Sequence, residues 1–303
     1  MIETFARARA FIYRNARPLD LARWQFHFEN GSKDAVLAAL SAYQNADGGF
    51  AHALEPDAWN PLSSPIQTWC ATEVLREIDF DDAAHPLIQG VLRYLESGAD
   101  FDGRYWACVV KTNNDYPHAP WWHWGGEGER DDNPTACLAG FIVRFAQKGS
   151  TLHALGCSLV RAAAEALLNR ETCADMHVLG CYIAMLAYAR AAGVTDLIDC
   201  AAVERQLRHF VDAALEKDVQ RWETSYACKP SQFMMGRESV FYADQAALAA
   251  EECAFIRRTQ QEDGAWAIPW RWSGYPAQWG IAENWWKADG IIRHLRFLRG
   301  IER

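Results

Sequence analysis

A chain of 303 residues, half of them hydrophobic and 23% charged, with a net charge of −9, has enough apolar material for a large buried core and is not disordered. Its 30 Lys and Arg are scattered rather than striped, which excludes the electrostatic footprint of a nucleic-acid binder. The segment Met1–Pro18 carries Arg7, Arg9, Arg14 and Arg17 beside Glu3 and lacks the apolar run of a secretion signal, and apolar stretches such as Val178–Tyr188 fall short of the ~20 residues of a membrane span; a cytoplasmic protein without a membrane span is expected.

In chain order, the first clear helical periodicity runs from Asp34 to Tyr43 and ends in Gln44-Asn45-Ala46-Asp47-Gly48-Gly49-Phe50. Glu55 and Asp57 follow. A helix is predicted at Ser64–Ile78, opened by Ser64 directly before Pro65, which is a capping side chain ahead of a proline at the first helical position. Asp79-Phe80-Asp81-Asp82 comes next, read as N-terminal charge complement to a helix entered at His85-Pro86. After the run Val91–Leu95 comes Asp102-Gly103-Arg104-Tyr105-Trp106, then a loop holding Asp115, His118, Trp121, Trp122, His123 and Trp124.

Asp131-Asp132-Asn133-Pro134-Thr135-Ala136 opens a helix predicted at Pro134–Gln147, with Asn133 as its cap. Further helices are predicted at Asp175–Ala192 and, after an amphipathic run Ala249–Thr259, at Ile281–Leu298. The last turn, Gln260-Gln261-Glu262-Asp263-Gly264-Ala265-Trp266, repeats the first in its Gln, Asp, Gly and aromatic positions. Trp270, Trp272, Tyr275, Trp279, Glu283, Trp285 and Trp286 follow it. No run shows sustained period-two alternation flanked by hairpin turns, so strands are not expected. Of nine cysteines, none forms a Cys-x-x-Cys pair; Cys70, Cys137, Cys181 and Cys253 fall within apolar helical patterns and read as small buried hydrophobes.

The turn copies have a local logic: Gly tolerates the backbone angles of a tight turn, Asp bonds nearby N–H groups, and the aromatic packs into the next element. Asp47, Asp102 and Asp263 fit a repeat of roughly fifty residues, with degraded copies near 170 and 218. The Gln-x-x-Asp-Gly-x-aromatic segments resemble the QW repeats of squalene and oxidosqualene cyclases and the equivalent turns of protein prenyltransferase β-subunits. Stretches 44–57, 63–66, 118–122 and 133–136 and the tryptophan-rich end also resemble a group of bacterial prenyltransferase-like proteins. The resemblance implies an all-α fold, an α/α toroid made as a double ring of helical hairpins around a central cavity, in a single domain over residues 1–303.

The catalytic signatures of those families are only partly matched. Class II cyclases protonate their substrate with the middle Asp of Asp-x-Asp-Asp-Thr-Ala. With Thr135-Ala136 aligned, Asn133 stands at that position, and an amide cannot protonate an alkene. No Asp-Asp-x-x-Asp segment lies on a helix for magnesium diphosphate, and the Asp-x-Cys pair that begins the zinc site of protein prenyltransferases is missing. Asp175 and His177 open a helix with no thiolate at suitable spacing. No metal and no cofactor is expected.

The remaining candidates are aromatic and acidic. The resemblance puts the three loop stretches at one end of the toroid cavity, where a carboxylate in an apolar setting has a raised pKa and can act as a general acid. The expected catalytic residues are Asp57, Glu55, Glu283 and His118; the expected substrate-binding residues are Trp121, Trp122, Trp124, Asp115, Trp270, Trp272, Trp279, Trp285 and Trp286. Tryptophan faces stabilise cations and stack on sugars. Two functions follow: acid-catalysed conversion of a small apolar or isoprenoid-like molecule in the cavity, or a carbohydrate-active hydrolase or lyase. A non-catalytic binding scaffold is the third reading.

Overall fold

The computed structural model describes residues 2–126, 131–194 and 196–302. Among the described residues the chain is all-α, with isolated β-bridges and no strand. Its helices are α1 (Ile2–Asn15), α2 (Pro18–Phe28), α3 (Lys33–Ser41), α4 (Pro65–Glu77), α5 (Pro86–Glu96), α6 (Asp132–Phe145), α7 (Thr151–Leu168), α8 (Met176–Ala191), α9 (Cys200–Ala214), α10 (Tyr242–Thr259) and α11 (Pro276–Ile301). Contacts gather these into two compact units, residues 41–213 and residues 1–40 with 214–303.

In the unit 41–213, α6 packs along α7 and α8 and touches α4 and α5. The apolar residues of α6 and α8 run all round the helix, from Pro134 to Phe145 and from Val178 to Ala189, as expected of helices buried on several sides. Gly140 allows the closest approach, since a methyl group there would lie 2.9 Å from the Met185 Cα. By contrast, α7 buries one stripe, Leu152, Gly156, Leu159, Val160, Ala163, Ala164 and Leu167. That helix is long and apolar enough by length and composition to cross a membrane, although Arg161 and Glu165 lie within it. Its stripe is committed to neighbouring helices, so length and composition are all that favour a span.

Most of the predicted helices form close to where their signals stand. Ser64 caps α4 by accepting from the Gln67 N–H at 3.4 Å, and His85 caps α5 through Nδ1, which accepts from the Leu87 N–H at 3.3 Å. Asp81 pairs with Arg144 of α6, a structural role for the acidic run after α4. One cap differs from expectation. Asp131, not Asn133, caps α6, accepting from the Asn133 N–H at 2.8 Å; Asn133 itself is non-helical, and its Oδ1 accepts from Cys181 Sγ at 3.5 Å. The last helix starts at Pro276, earlier than its apolar periodicity suggested, because Pro at the first turn needs no N–H partner. All nine cysteines are free; Cys137, Cys181 and Cys253 are buried, and Cys70 is only half-buried.

The two sharp turn copies are alike bond for bond. Gln44 Nε2 donates to the Gly48 carbonyl at 2.9 Å and reaches out to the Leu87 carbonyl of α5 at 3.1 Å. Gln260 Nε2 does the same with the Gly264 carbonyl at 2.9 Å and the Thr4 carbonyl of α1 at 2.9 Å. Gly48 (φ +94°) and Gly264 (φ +97°) sit in the left-handed region and lie against a backbone carbonyl one turn further along the docked helix. A methyl group on them would lie 2.1 Å from the Gly90 oxygen and 2.2 Å from the Arg7 oxygen. Asp47 and Asp263 each accept the N–H two residues on, at 2.9 Å. The motif is therefore a docking device: its glutamine and glycine grip the first turns of a helix distant in sequence.

In the other unit, α11 packs against α1, α2 and α10. Its polar heart is an ion network in which Asp20, fully buried, accepts from Arg17 Nε at 2.7 Å and Arg23 Nη1 at 3.1 Å, while Arg23 also reaches Asp289 of α11 at 2.8 Å. Trp266 packs edge-on against His294 at 4.8 Å. Burial, with Lys229 and Arg293 nearby, pushes the His294 imidazole down to about 3. The unfolded ring titrates near 6.5, so acid below that value protonates the unfolded chain first and stability falls. From pH 7.5 to pH 5 this group is expected to cost the wild type about 2 kcal/mol, a loss that His294→Phe should not share. Urea denaturation of both proteins at the two pH values tests this, and equal losses would remove His294 as the cause.

Candidate functional site

Two loops of the unit 41–213 meet, as expected for the first and second candidate stretches. Residues 55–59 lie beside 117–119: the Trp59 N–H donates to the Pro117 carbonyl at 3.0 Å, and the Ala119 N–H to the Asp57 carbonyl at 2.8 Å. Ala58 and His118 form an isolated antiparallel bridge. Glu55, Asp57 and His118 are thereby brought together and buried. Part of that burial organises the loop itself, since Glu55 Oε2 accepts the Asp57 N–H at 2.8 Å.

From this junction a chain of amides runs outward. Asn60, 1% exposed, donates through Nδ2 to Thr112 Oγ1 at 2.7 Å and Asn113 Oδ1 at 3.0 Å, and its own Oδ1 accepts the Leu62 N–H at 2.9 Å. Asn113 passes the contact on to the Trp122 carbonyl at 3.1 Å. Asn114 clamps Trp124 from both sides, donating to its carbonyl at 3.0 Å and accepting its N–H at 2.8 Å. The anchor is helix α4, where Gln67 accepts the Leu54 N–H at 3.0 Å and donates to the Asn60 carbonyl at 3.3 Å.

These bonds frame an open cleft of about 550 Å³ lined by Lys111, Thr112, Asn114, Asp115, His123 and Trp124, with Gly125 and Gly126 at its edge. Lys111 Nζ stands 5.7 Å from the centre of the Trp124 ring, within cation–π range. His118 and His123 meet edge to edge, with centroids 5.4 Å apart and an interplanar angle of 18°, and His118 Nε2 is 3.2 Å from His123 Nδ1. Of the expected residues, Asp115 and Trp124 line the cleft; Trp122 lies half-buried behind it and Trp121 is exposed. Lys111, Thr112, Asn113, Asn114 and Asn60 were not singled out from the sequence. Their signal was the Lys-Thr-Asn-Asn-Asp run, whose amides are the residues that fix a loop in place.

A second polar cluster opens α6. Asp132 is buried and accepts a short bond from the Tyr182 hydroxyl of α8, with Arg170 3.5 Å from the same carboxylate. Burial raises its pKa by more than the Tyr182 hydrogen bond and the charges of Arg170 and Arg104 lower it. Asp131 is raised in the same direction by burial.

The remaining expected residues belong to the unit made of 1–40 and 214–303. Trp270 stands edge-on to Trp286 and to Tyr226, each at 5.3 Å, and Trp272 packs on Trp279 at 5.9 Å. Trp285 lies under the Arg17 guanidinium at 5.3 Å. Glu283 pairs with Lys287 at 3.3 Å, and Lys287 also reaches Asp263 of the last turn at 3.4 Å. No family model matches the chain, and neither curated proteins nor solved structures give a match.

Proposed function

We propose that the protein binds a small hydroxyl-rich molecule, of carbohydrate class, in the cleft over Trp124, within the α/α-toroid organisation that the sequence resemblance implies. The observation that carries this reading is the lining: a tryptophan fixed by Asn114, surrounded by an ammonium, a hydroxyl, an amide, a carboxylate and an imidazole. Hydroxyl groups need donors and acceptors at several angles, and a sugar's apolar face needs an aromatic ring; an isoprenoid chain needs neither. Asp115 and His123 supply an acid–base pair for carbohydrate-active chemistry at the same place.

Ligand-observed NMR with a panel of mono- and oligosaccharides and their acidic forms tests it. Trp124→Ala is expected to weaken the best ligand at least about tenfold, as loss of a central aromatic contact does. Asn114→Ala should weaken it less, because the ring survives and only its clamp is lost. A panel without binders, or a Trp124→Ala protein that binds as well as wild type, would overturn the reading.

One observation supports the cyclase-like alternative. Asp132 stands immediately before the Thr135-Ala136 helix start, buried and with a raised pKa, which is the condition under which a carboxylic acid can protonate an apolar substrate. Turnover of an isoprenoid diphosphate that is lost in Asp132→Asn and kept in Trp124→Ala would favour that reading over ours.

A further inference from the structure

The paired histidines fix which nitrogen of His123 is left to accept a proton. His118 Nδ1 lies 2.6 Å from the Tyr116 carbonyl oxygen. A carbonyl has no proton to give, so Nδ1 must carry the hydrogen and donate. In the neutral ring that leaves Nε2 of His118 as an acceptor, and the atom facing it at 3.2 Å is Nδ1 of His123. For that contact to be a hydrogen bond between neutral rings, His123 Nδ1 must hold the proton as well. The Nε2 of His123 then has a lone pair, and His123 lines the cleft.

We propose that the relay Tyr116 carbonyl, His118, His123 sets His123 in the tautomer whose Nε2 accepts, making it the hydrogen-bond acceptor of the cleft, and that this atom accepts a hydrogen bond from a ligand hydroxyl. The ligand class rests on the function proposed above; the tautomer does not. His118, 8% exposed and out of the cleft lining, is the positioning residue, and His123 is the group that meets the ligand. This reverses the sequence expectation that His118 itself acts. The arrangement has a built-in asymmetry. A proton added to His123 Nε2 leaves the contact between the rings intact, whereas protonating both rings would set two N–H groups against each other at 3.2 Å. Among the described residues, the charged side chains of the same lining are Lys111 and Asp115.

Long-range ¹H–¹⁵N correlation spectra of the imidazoles of the full chain, recorded without ligand near pH 8, read the tautomers directly. The expected result is a protonated Nδ1 and an unprotonated Nε2 for both His118 and His123. His118→Ala should release His123 to an average of its two tautomers, and His118→Gln, whose side-chain oxygen can accept from Nδ1, should restore the fixed form; if His118→Ala does not fold, His118→Gln against wild type carries the comparison. His123 found with its proton on Nε2, or averaging already in the wild type, overturns the relay. Carbethoxylation by diethyl pyrocarbonate, mapped by mass spectrometry, then reads the exposed lone pair with no ligand: His123 should react faster in the wild type than in His118→Ala, and equal rates overturn the positioning role. With the tautomers as stated and no saccharide bound, the ligand reading falls and the relay stands. With saccharide bound but unaffected by His123→Phe, which leaves no acceptor at the position, the ligand reading stands and the role of Nε2 falls.

Discussion

Gly48→Ala and Gly264→Ala are each expected to destabilise the protein by about 3 kcal/mol or more, while Gly103→Ala costs only about 1–2 kcal/mol. All three glycines hold nearly the same left-handed backbone, with φ of +94°, +97° and +97°. The backbone penalty for a side chain is therefore common to them, about 1–2 kcal/mol. What differs is the space. A methyl group would be 2.1 Å from a carbonyl oxygen at 48 and 2.2 Å at 264, but meets no described atom within 4 Å at 103. A carbonyl inside a helix cannot retreat without breaking the turn it belongs to, so the docked helix must move. Melting curves of the three variants test this, with shifts of about 5 °C or more for the two docking glycines. Equal shifts at all three positions would show that docking contributes nothing and that only the turn matters.

Asp20→Ala is the second large effect, about 3–5 kcal/mol, because it leaves the guanidinium groups of Arg17 and Arg23 buried without their shared carboxylate. The cost arises from the stranded charges rather than from the pair's own worth, which fixes a further outcome. Arg17→Met in the Asp20→Ala background should recover part of the loss, since it removes one of those charges and leaves an apolar stem. Arg23 keeps Asp289 as a partner at 2.8 Å and Arg17 keeps the face of Trp285, so the recovery is partial. Denaturant midpoints of the single and double variants measure it. A double variant less stable than Asp20→Ala would assign the loss to packing instead.

The helices were legible where local chemistry decides. Ser64-Pro65, His85-Pro86 and Asp175 announce helix starts through groups within three residues, and the structure uses each as a cap. Asn133-Pro134 carries the same signal and misled, because a competing acid two residues earlier took the cap and a thiol across the helix pair took the amide. The Gln–Asp–Gly turns were recognisable as turns, but not as grips on Leu87 and Thr4, which is information held in tertiary distance. The site divides the same way. The loops of Glu55–Asp57 and of His118, two of the three stretches expected to converge, are joined by backbone hydrogen bonds; Asn60, Asn113 and Asn114 were overlooked because an amide gains its meaning from its partners, and those lie up to 53 residues away. Tryptophan density alone did not separate Trp124, at the cleft, from Trp285, which supports an arginine.

The grip of Gln260 on the Thr4 carbonyl bears on how the chain is made. On the ribosome, α1 and α2 emerge before the turn and helix that complete their unit, which lie beyond the whole of residues 41–213. Residues 41–213 form a unit continuous in sequence that can assemble during synthesis, while α1 and α2 lack the helix they pack against until α11 is released. A nascent chain stalled before residue 260 should therefore be protease-resistant in its middle and sensitive at its start, the reverse of simple N-to-C order.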